Sequence, residues 1–355
     1  TPKGISGYTF QKYVARILKP NTHQWLREVG ATVVNHAIIE ADRARQQFFK
    51  GKFGYPHFKS KHKSKISFYV CNQTVKRTAD GFTGERLGNV KTVHPLPKIE
   101  GYYSDPHITF DGKHWYLGVG YKTKPRKVKL TKKTIGIDLG IKELAVLSDG
   151  RVFHNINHTE RVFQLIQRLK KEQRKFSRKI EANIGDYVTS TVIGIDGKER
   201  LSRRPIWKRP LHECKNINRQ SAKVRAVHKK LRDIRQNYIH QTTRAIVKTK
   251  PSRIIMETLN IRGLMKNRHL RRAIIEQKWF EFKRQIKYKA EELGIEVIEA
   301  DRFYASSKMC SHCGHVKHDL KLGDRMYHCS ECGFEIDRDL NAAINLAHYL
   351  TLSGK

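Results

Sequence analysis

The stretch Ile135-Gly136-Ile137-Asp138-Leu139-Gly140 decides the fold of this chain. It has the pattern of a short buried β-strand that ends in one carboxylate and then turns on a glycine. A carboxylate at the end of a buried strand is costly to desolvate unless a cation lies beside it. The stretch therefore predicts a central strand with a cation-binding acid at its end.

Two later stretches have the same character, Ile254-Ile255-Met256-Glu257 and Asp337-Arg338-Asp339-Leu340-Asn341-Ala342-Ala343. If the fold brings their acids to Asp138, three carboxylates would hold hard divalent cations, above all Mg²⁺, through oxygen. Such an arrangement suits two-metal phosphodiester hydrolysis, in which one ion activates water and the other stabilises the leaving oxygen. The candidate catalytic residues are Asp138, Glu257 and either Asp339 or Asp337, between which spacing does not decide.

The elements predicted around these acids alternate between strands and helices. A hairpin that turns at Ser148-Asp149-Gly150-Arg151 follows the central strand, and a parallel strand carries Glu257. This order matches an RNase H-like fold and predicts a multidomain α/β protein. Apolar spacing predicts three helices, at about 159–181, in the segment that ends at Lys250, and at about 270–293. Strands are predicted at 253–259 and 295–300. The segment 183–213 is expected to be irregular, with a hairpin at Asp196-Gly197.

Four of the six cysteines, Cys310, Cys313, Cys329 and Cys332, have the spacing C-x2-C-x15-C-x2-C. Each C-x2-C pair forms a knuckle that presents two thiolates to one ion, and two knuckles complete a tetrahedron. The motif predicts one structural Zn²⁺ with no coordination position left for catalysis. Cys71 and Cys214 stand alone, so the cysteines are not a disulfide framework and a reducing compartment is expected.

The composition is strongly basic, with 71 Lys+Arg against 33 Asp+Glu and a formal net charge of +38. A chain with that excess repels itself unless a polyanion covers it, and nucleic acid is the polyanion that counterion release favours. We find no apolar run long enough to span a membrane, no signal peptide and no lipidation motif. Nucleic acid is therefore the expected partner, and a membrane is not.

The first 133 residues are interpreted as a small β-barrel with a helical insert. A strand is predicted at Tyr8–Leu18, a helix from Thr22 to about Lys50, and strands over 66–130 with hairpin turns at Asp80-Gly81 and Asp111-Gly112. Between helix and strands, aromatic rings alternate with lysines, as suits a nucleic-acid strand. The candidate nucleic-acid-binding residues are Lys52, Tyr55, Phe58, Lys59, Lys61, Lys63 and Lys65. A solvated basic loop whose rings pack on the core is the alternative.

These motifs together resemble TnpB, a transposon-encoded family of RNA-guided nucleases related to type V CRISPR effectors. The matching stretches are Ile135–Gly140, Met256–Ile261 and Asp337–Asn345 for three RuvC motifs, Ser306–Gly314 for the entry into a zinc ribbon, and Tyr55–Lys59 for the basic N-terminal segment. The resemblance implies a wedge β-barrel in 1–20 and 51–133, a helical recognition insert in 21–50, a RuvC domain in 134–304 and 337–355, and a zinc ribbon in 305–336.

The resemblance also implies a bound guide RNA, a double-stranded DNA target beside a short adjacent motif, and Mg²⁺-dependent endonuclease activity. It places the third acid on Asp339. We predict that Asp138 bridges two Mg²⁺ ions and that Glu257 and Asp339 each complete one side. A cytoplasmic, nucleoid-associated protein of a prokaryote is expected. A miniature CRISPR effector, a guide-independent junction nuclease or transposase, and a regulator that only binds remain as alternatives.

Overall fold

The computed structural model describes residues 5–59, 64, 66–123, 128–193, 199–321 and 323–352. The chain divides near residue 124 into two compact units, which are described separately. No helix among the described residues is both long and apolar enough to cross a membrane. The prediction of a mixed α/β protein is confirmed.

The first unit begins with helices, so the strand predicted at Tyr8–Leu18 is wrong. The Ser6 hydroxyl caps the first helix by accepting a hydrogen bond from the Thr9 amide at 3.2 Å. The Gly7 amide donates to Asp42 of the third helix at 3.0 Å, so packing between helices favours this conformation. The helical segments are α1 (Gly7–Tyr13), a π-helical turn (Val14–Leu18), α2 (Lys19–Asn21), a 3-10 turn (Gln24–Arg27) and α3 (Ala31–Phe49).

The long helix of the first unit starts later than predicted. Gly30 precedes its first residue and provides no side-chain cap, whereas the predicted cap Thr22 lies before the 3-10 turn. The helix predicted from Thr22 therefore begins only after Gly30.

The strands of the first unit form two antiparallel sheets of three strands each. The strands are β1 (Ser67–Tyr69), β2 (Lys76–Arg77), β3 (Gly81–Gly84), β4 (Gly88–Lys91), β5 (Ser104–Phe110) and β6 (Trp115–Gly120). Their orders are β1-β5-β6 and β2-β3-β4, and the hairpins predicted at Asp80-Gly81 and Asp111-Gly112 are confirmed. Both sheets contribute to one core, which includes Phe82 and Ile108.

The second unit is built on a five-stranded sheet in the order β13-β12-β7-β8-β9. Its strands are β7 (Thr134–Asp138), β8 (Glu143–Leu147), β9 (Val152–His154), β12 (Arg253–Met256) and β13 (Glu296–Glu299). Strand β8 pairs antiparallel with both β7 and β9, and β12 runs parallel to both β7 and β13. The predicted hairpin and the predicted parallel strand are therefore confirmed.

Helices cover this sheet and form a long pair beyond it. They are α4 (Glu160–Ala182), α5 (Lys215–Lys248), α6 (Ile261–Leu264), α7 (Arg268–Gln277) and α8 (Trp279–Leu293). Helices α4 and α5 pack through Val162, Leu165, Val227 and Leu231. The single helix predicted at 270–293 is broken at Lys278, which has a left-handed φ of 54°. The break lies between two buried side chains, Gln277 and Trp279.

The segment 183–213, expected to be irregular with a hairpin at Asp196-Gly197, is a long hairpin and more regular than expected. Strand β10 (Ile184–Ile193) pairs antiparallel with β11 (Glu199–Trp207), while the predicted turn at Asp196-Gly197 lies outside the described residues. The Arg203 guanidinium lies 3.9 Å from the centre of the Tyr187 ring, a cation–π contact across the two strands.

The C-terminal part contains β14 (Met326–His328), β15 (Glu335–Asp337), α9 (Arg338–Ala347) and α10 (Tyr349–Leu352). Helix α9 packs on β7, where Gly136 has no side chain to hold the two elements apart. A Cβ atom on Gly136 would lie 2.5 Å from the Ala347 nitrogen, and closer still to the Ala343 carbonyl oxygen. Small residues on both elements thus allow a very close approach of helix to strand.

Candidate active site and metal centre

The first two candidate acids leave the central sheet at the same edge. Ile137 of β7 pairs with Met256 of β12 in parallel register, so Asp138 and Glu257 are the next residues of neighbouring strands. The Leu139 amide donates a hydrogen bond to Glu257 Oε1 at 3.3 Å, which joins the two strand ends directly. Parallel pairing therefore brings together two carboxylates that are far apart in sequence.

The third acid comes from the first turn of α9. The close approach at Gly136 holds α9 against β7 through Ala343 and Ala347, and the charge of Asp339, at the start of the helix, acts on Asp138. Asp337 Oδ1 accepts hydrogen bonds from the Asp339 and Leu340 amides, both at 3.0 Å, and thereby caps the helix. Because the cap engages Asp337, the Asp339 carboxylate is the better candidate ligand, as the resemblance implied.

Burial and mutual repulsion make these carboxylates hard to ionise together. Burial, then the charges of Glu257 and Asp339, raise the pKa of Asp138 well above its usual range. Burial raises the pKa of Glu257 to about 7, although the Leu139 amide and Lys283 oppose this shift. Burial and Asp337 raise the pKa of Asp339, against Arg338, Arg325 and Lys142. As whole residues, Asp138, Glu257 and Asp339 are each partly exposed to solvent.

These observations fit a divalent cation of the Mg²⁺ class. The donors are all oxygen, and two positive charges would relieve the repulsion that raises the pKa values. Two groups of metal-ligating side chains among the described residues have all their ligand atoms within 4.8 Å of one another. The three acids are not such a group, because their carboxylate oxygens are not all that close together. Small side-chain movements on binding would be needed to complete the site.

Two residues that sequence reasoning missed support the strand ends. Lys283 of α8 donates hydrogen bonds to the Glu257 carbonyl and, at 2.9 Å, to Glu299. Gln277 donates to the Gly140 and Ile141 carbonyls at 3.2 and 2.9 Å, so it fixes the turn after β7. Neither residue carries a local signal, because both act on backbone groups distant in sequence.

The four predicted cysteines converge in the C-terminal part. The Cys310 and Cys332 sulfurs lie 3.8 Å apart and those of Cys313 and Cys329 lie 3.5 Å apart, and all four are within 4.8 Å of one another. Gly314 and Gly333 have φ values of 80° and 69°, and their amides donate to the carbonyls of the first cysteine of each knuckle. Four thiolates in two such knuckles fit a tetrahedral Zn²⁺ site.

Two buried asparagines attach this cysteine cluster to α9. The Asn341 side chain accepts from the Ser311 amide at 2.9 Å and donates to the Met309 carbonyl at 2.7 Å. Asn345 donates to the Ser306 and Met309 carbonyls at 2.7 and 2.6 Å. The sequence indicated a helix of small residues here but not these contacts, because a buried Asn has no distinctive spacing.

The predicted nucleic-acid-binding segment is only partly described. Lys52, Tyr55, Phe58 and Lys59 are exposed, whereas Lys61, Lys63 and Lys65 lie outside the described residues. The Tyr55 ring meets Phe48 of α3 edge to face at 5.3 Å, so one ring of the segment packs on the first unit. The exposure of Phe58 suits a stacking role, which stays a prediction.

Comparison with known proteins supports the sequence resemblance. Residues 279–346 match the family model "Cas12f1-like, TNB domain", and residues 119–191 match "Probable transposase". The chain is 29% identical to a "Putative RNA-guided DNA endonuclease" of Streptomyces pristinaespiralis over 91% of this chain and 72% of the relative. It is 23% identical to the "Putative RNA-guided DNA endonuclease InsQ" of Escherichia coli (strain K12) over 91% and 75%.

A further relative is the "CRISPR-associated endodeoxyribonuclease Cas12f1" of Sulfoacidibacillus thermotolerans, which is 29% identical over 66% of this chain and 50% of the relative. These matches confirm the predicted resemblance to the TnpB family and its type V CRISPR relatives.

Proposed function

From this resemblance, we propose that the chain is an RNA-guided DNA endonuclease that binds a guide RNA and cuts double-stranded DNA by Mg²⁺-dependent hydrolysis. The observation that carries the proposal is the meeting of Asp138, Glu257 and Asp339 at one edge of the central sheet. The pKa values of all three carboxyl groups are raised, and a bound divalent cation would lower them again. A regulator that only binds would have no need of this costly arrangement.

The second unit would then be a RuvC nuclease domain of RNase H-like fold, formed by 134–304 and 337–355, with the zinc ribbon 305–336 inserted. The sheet order β13-β12-β7-β8-β9, with its antiparallel hairpin and parallel strands, supports this assignment. In the first unit, 51–133 would form the wedge barrel and 21–50 the recognition insert. Residues 7–21 are helical and contribute no strand, so the proposed barrel is built from the later segment.

The chemistry divides between the ions and the chain. Bound Mg²⁺ supplies activation of the attacking water and stabilisation of the leaving oxygen. Asp138, Glu257 and Asp339 would hold the ions, and Lys283 and the Leu139 amide keep Glu257 in place. Asp337 would position Asp339 by capping α9 rather than bind metal itself.

Sequence choice would come from base pairing with the guide, while the protein recognises backbone shape and charge. The net charge of +38 supports binding of a long nucleic acid, which counterion release drives. A guide-independent junction nuclease or transposase is the second candidate, because a transposase model matches 119–191 and such an enzyme would use the same acids.

The first experiment purifies the protein from its native locus and sequences the RNA that comes with it. One defined RNA that ends in sequence from the flanking locus supports guidance, and its use with matching DNA then tests cleavage. Heterogeneous fragments that do not direct cutting would favour the junction nuclease.

Substitutions then test the site. Asp138→Ala and Asp339→Ala should abolish cutting while RNA and DNA binding persist. Two controls are expected to cut: Asp337→Ser, which retains a helix cap, and Asp149→Ala in the β8–β9 turn. Cutting at the normal rate by Asp138→Ala would show the site assignment to be wrong.

A further inference from the structure

Three metal-ligating side chains meet in the first unit, whereas the acids and cysteines described above belong to the second. His36 lies on α3, and Asp105 and His107 lie on β5. Each offers one ligand atom, and these atoms all lie within 4.8 Å of one another. The four sulfurs of the predicted zinc site lie within the same distance of one another.

The backbone of β5 is distorted where it presents these side chains. The register with β6 shifts between Ser104 and His107, which marks a bulge, and Asp105 has a left-handed φ of 49°. Bulges redirect side chains, and a left-handed conformation at a non-glycine residue persists only where its surroundings hold it. The distortion coincides with Asp105, the residue that supplies the one carboxylate of the group.

Ring packing holds both imidazoles in place. His36 stacks on Tyr69 of β1 with centroids 4.2 Å apart and an angle of 9° between the planes. His107 is opposite Tyr69 in the β1–β5 register, and its ring meets His36 edge to face at 5.4 Å. Ligands that are fixed before binding lose little side-chain entropy when a metal arrives.

We propose that His36, Asp105 and His107 form a second transition-metal site, for which Zn²⁺ is the first candidate ion. Two imidazoles and one carboxylate are a donor set for zinc and other late first-row divalent ions, whereas Mg²⁺ prefers oxygen alone. Three protein ligands leave one coordination position for water. The metal would join α3 to β5 and so brace the first unit.

A simpler role is available for the same residues. Asp105 Oδ1 lies 3.5 Å from His107 Nδ1, which donates to the Asp105 backbone carbonyl at 3.0 Å, and the stacked rings could join the helix to the sheet without a metal. The two roles differ in what Asp105→Asn does. This change removes a metal ligand but leaves the ring stack, and Asn tolerates the left-handed conformation.

The test is a Co²⁺ titration of the full-length, metal-stripped and nucleic-acid-free protein. Excess Mg²⁺ and the Asp138→Asn background keep Co²⁺ from the acidic site. We expect two equivalents, one with the intense thiolate charge-transfer absorption of the cysteine cluster and one with only weak imidazole–carboxylate bands. Asp105→Asn and His107→Ala should each lose only the second equivalent, while the exposed control His94→Ala keeps both.

Zinc content after dialysis against Zn²⁺ gives the same count independently and should fall from two ions to one in both variants. Circular dichroism checks that each variant is folded. One equivalent in the parent protein, or a second equivalent that survives Asp105→Asn and His107→Ala, would overturn the proposal in favour of the metal-free stack.

Discussion

Gly136→Ala tests whether close contact between β7 and α9 sets the position of the third acid. The added Cβ would lie 2.5 Å from the Ala347 nitrogen and 3.0 Å from the Leu346 Cβ, whereas ordinary contact begins near 3.4 Å. Backbone atoms cannot rotate away, so the helix must retreat by about 1 Å or more. Asp138 and Asp339 lie on the two elements that would separate.

Both stability and activity should fall. Overpacking of this kind typically costs about 1–3 kcal/mol, and the upper end is expected because the obstructing atoms are backbone. A displacement of about 1 Å between reacting groups can reduce a rate roughly a hundredfold. We therefore expect a loss of about 3 kcal/mol in unfolding free energy and about a hundredfold slower cutting by the protein that remains folded.

Urea denaturation measures the first quantity, and single-turnover cleavage with the native guide measures the second. Gly323→Ala is the matched control, because no atom lies within 4 Å of the Cβ that this substitution adds and the φ of Gly323 is not left-handed. It should behave like the parent protein in both assays. A Gly136→Ala protein with parental stability and rate would refute the view that this contact positions Asp339.

Three further predictions concern the same unit. Asn345→Ala should lower the free energy of unfolding by about 2–4 kcal/mol, since two backbone carbonyls lose their donor; an unchanged urea midpoint would contradict this. Asp138→Asn should abolish cutting. It should also stabilise the Mg²⁺-free protein at pH 8 by about 1 kcal/mol, because the substitution removes a buried charge that the neighbouring carboxylates repel; a lower melting temperature would argue against that repulsion. Cys329→Ser should lose the zinc ion of the cysteine cluster and reduce cutting, whereas Cys214→Ser should retain both that ion and the activity; equal zinc in the two variants would exclude the cysteine cluster as the ligand set.

Local patterns predicted much of the second unit. The apolar run before Asp138, the alternating spacing in α5 and the paired knuckles depend on neighbouring residues, so one sequence contains the whole signal. The same patterns misled where tertiary contacts decide. Tyr8–Leu18 was predicted as a strand, but the Ser6 cap and the contact of Gly7 with Asp42 favour a helix.

Contacts between distant segments explain the remaining differences. Lys278 breaks a helix that periodicity predicts to be continuous, between the buried side chains of Gln277 and Trp279. Asn341, Asn345 and Lys283 act on backbone groups of other elements, so no spacing marks them. The three acids were predicted individually, but their meeting depends on strand register and on Gly136.

Helix α9 links the cysteine cluster to the acidic site within one unit. Asn341 and Asn345 of this helix donate hydrogen bonds to the backbone that leads into the first cysteine knuckle. Ala343 of the same helix lies against Gly136. Asp339 stands at the start of this helix, so its position depends on both contacts. If the cysteine cluster binds zinc as proposed, loss of the ion should loosen the segment to which the asparagines bind and weaken the proposed cutting through the placement of Asp339, although no cysteine belongs to the acidic site.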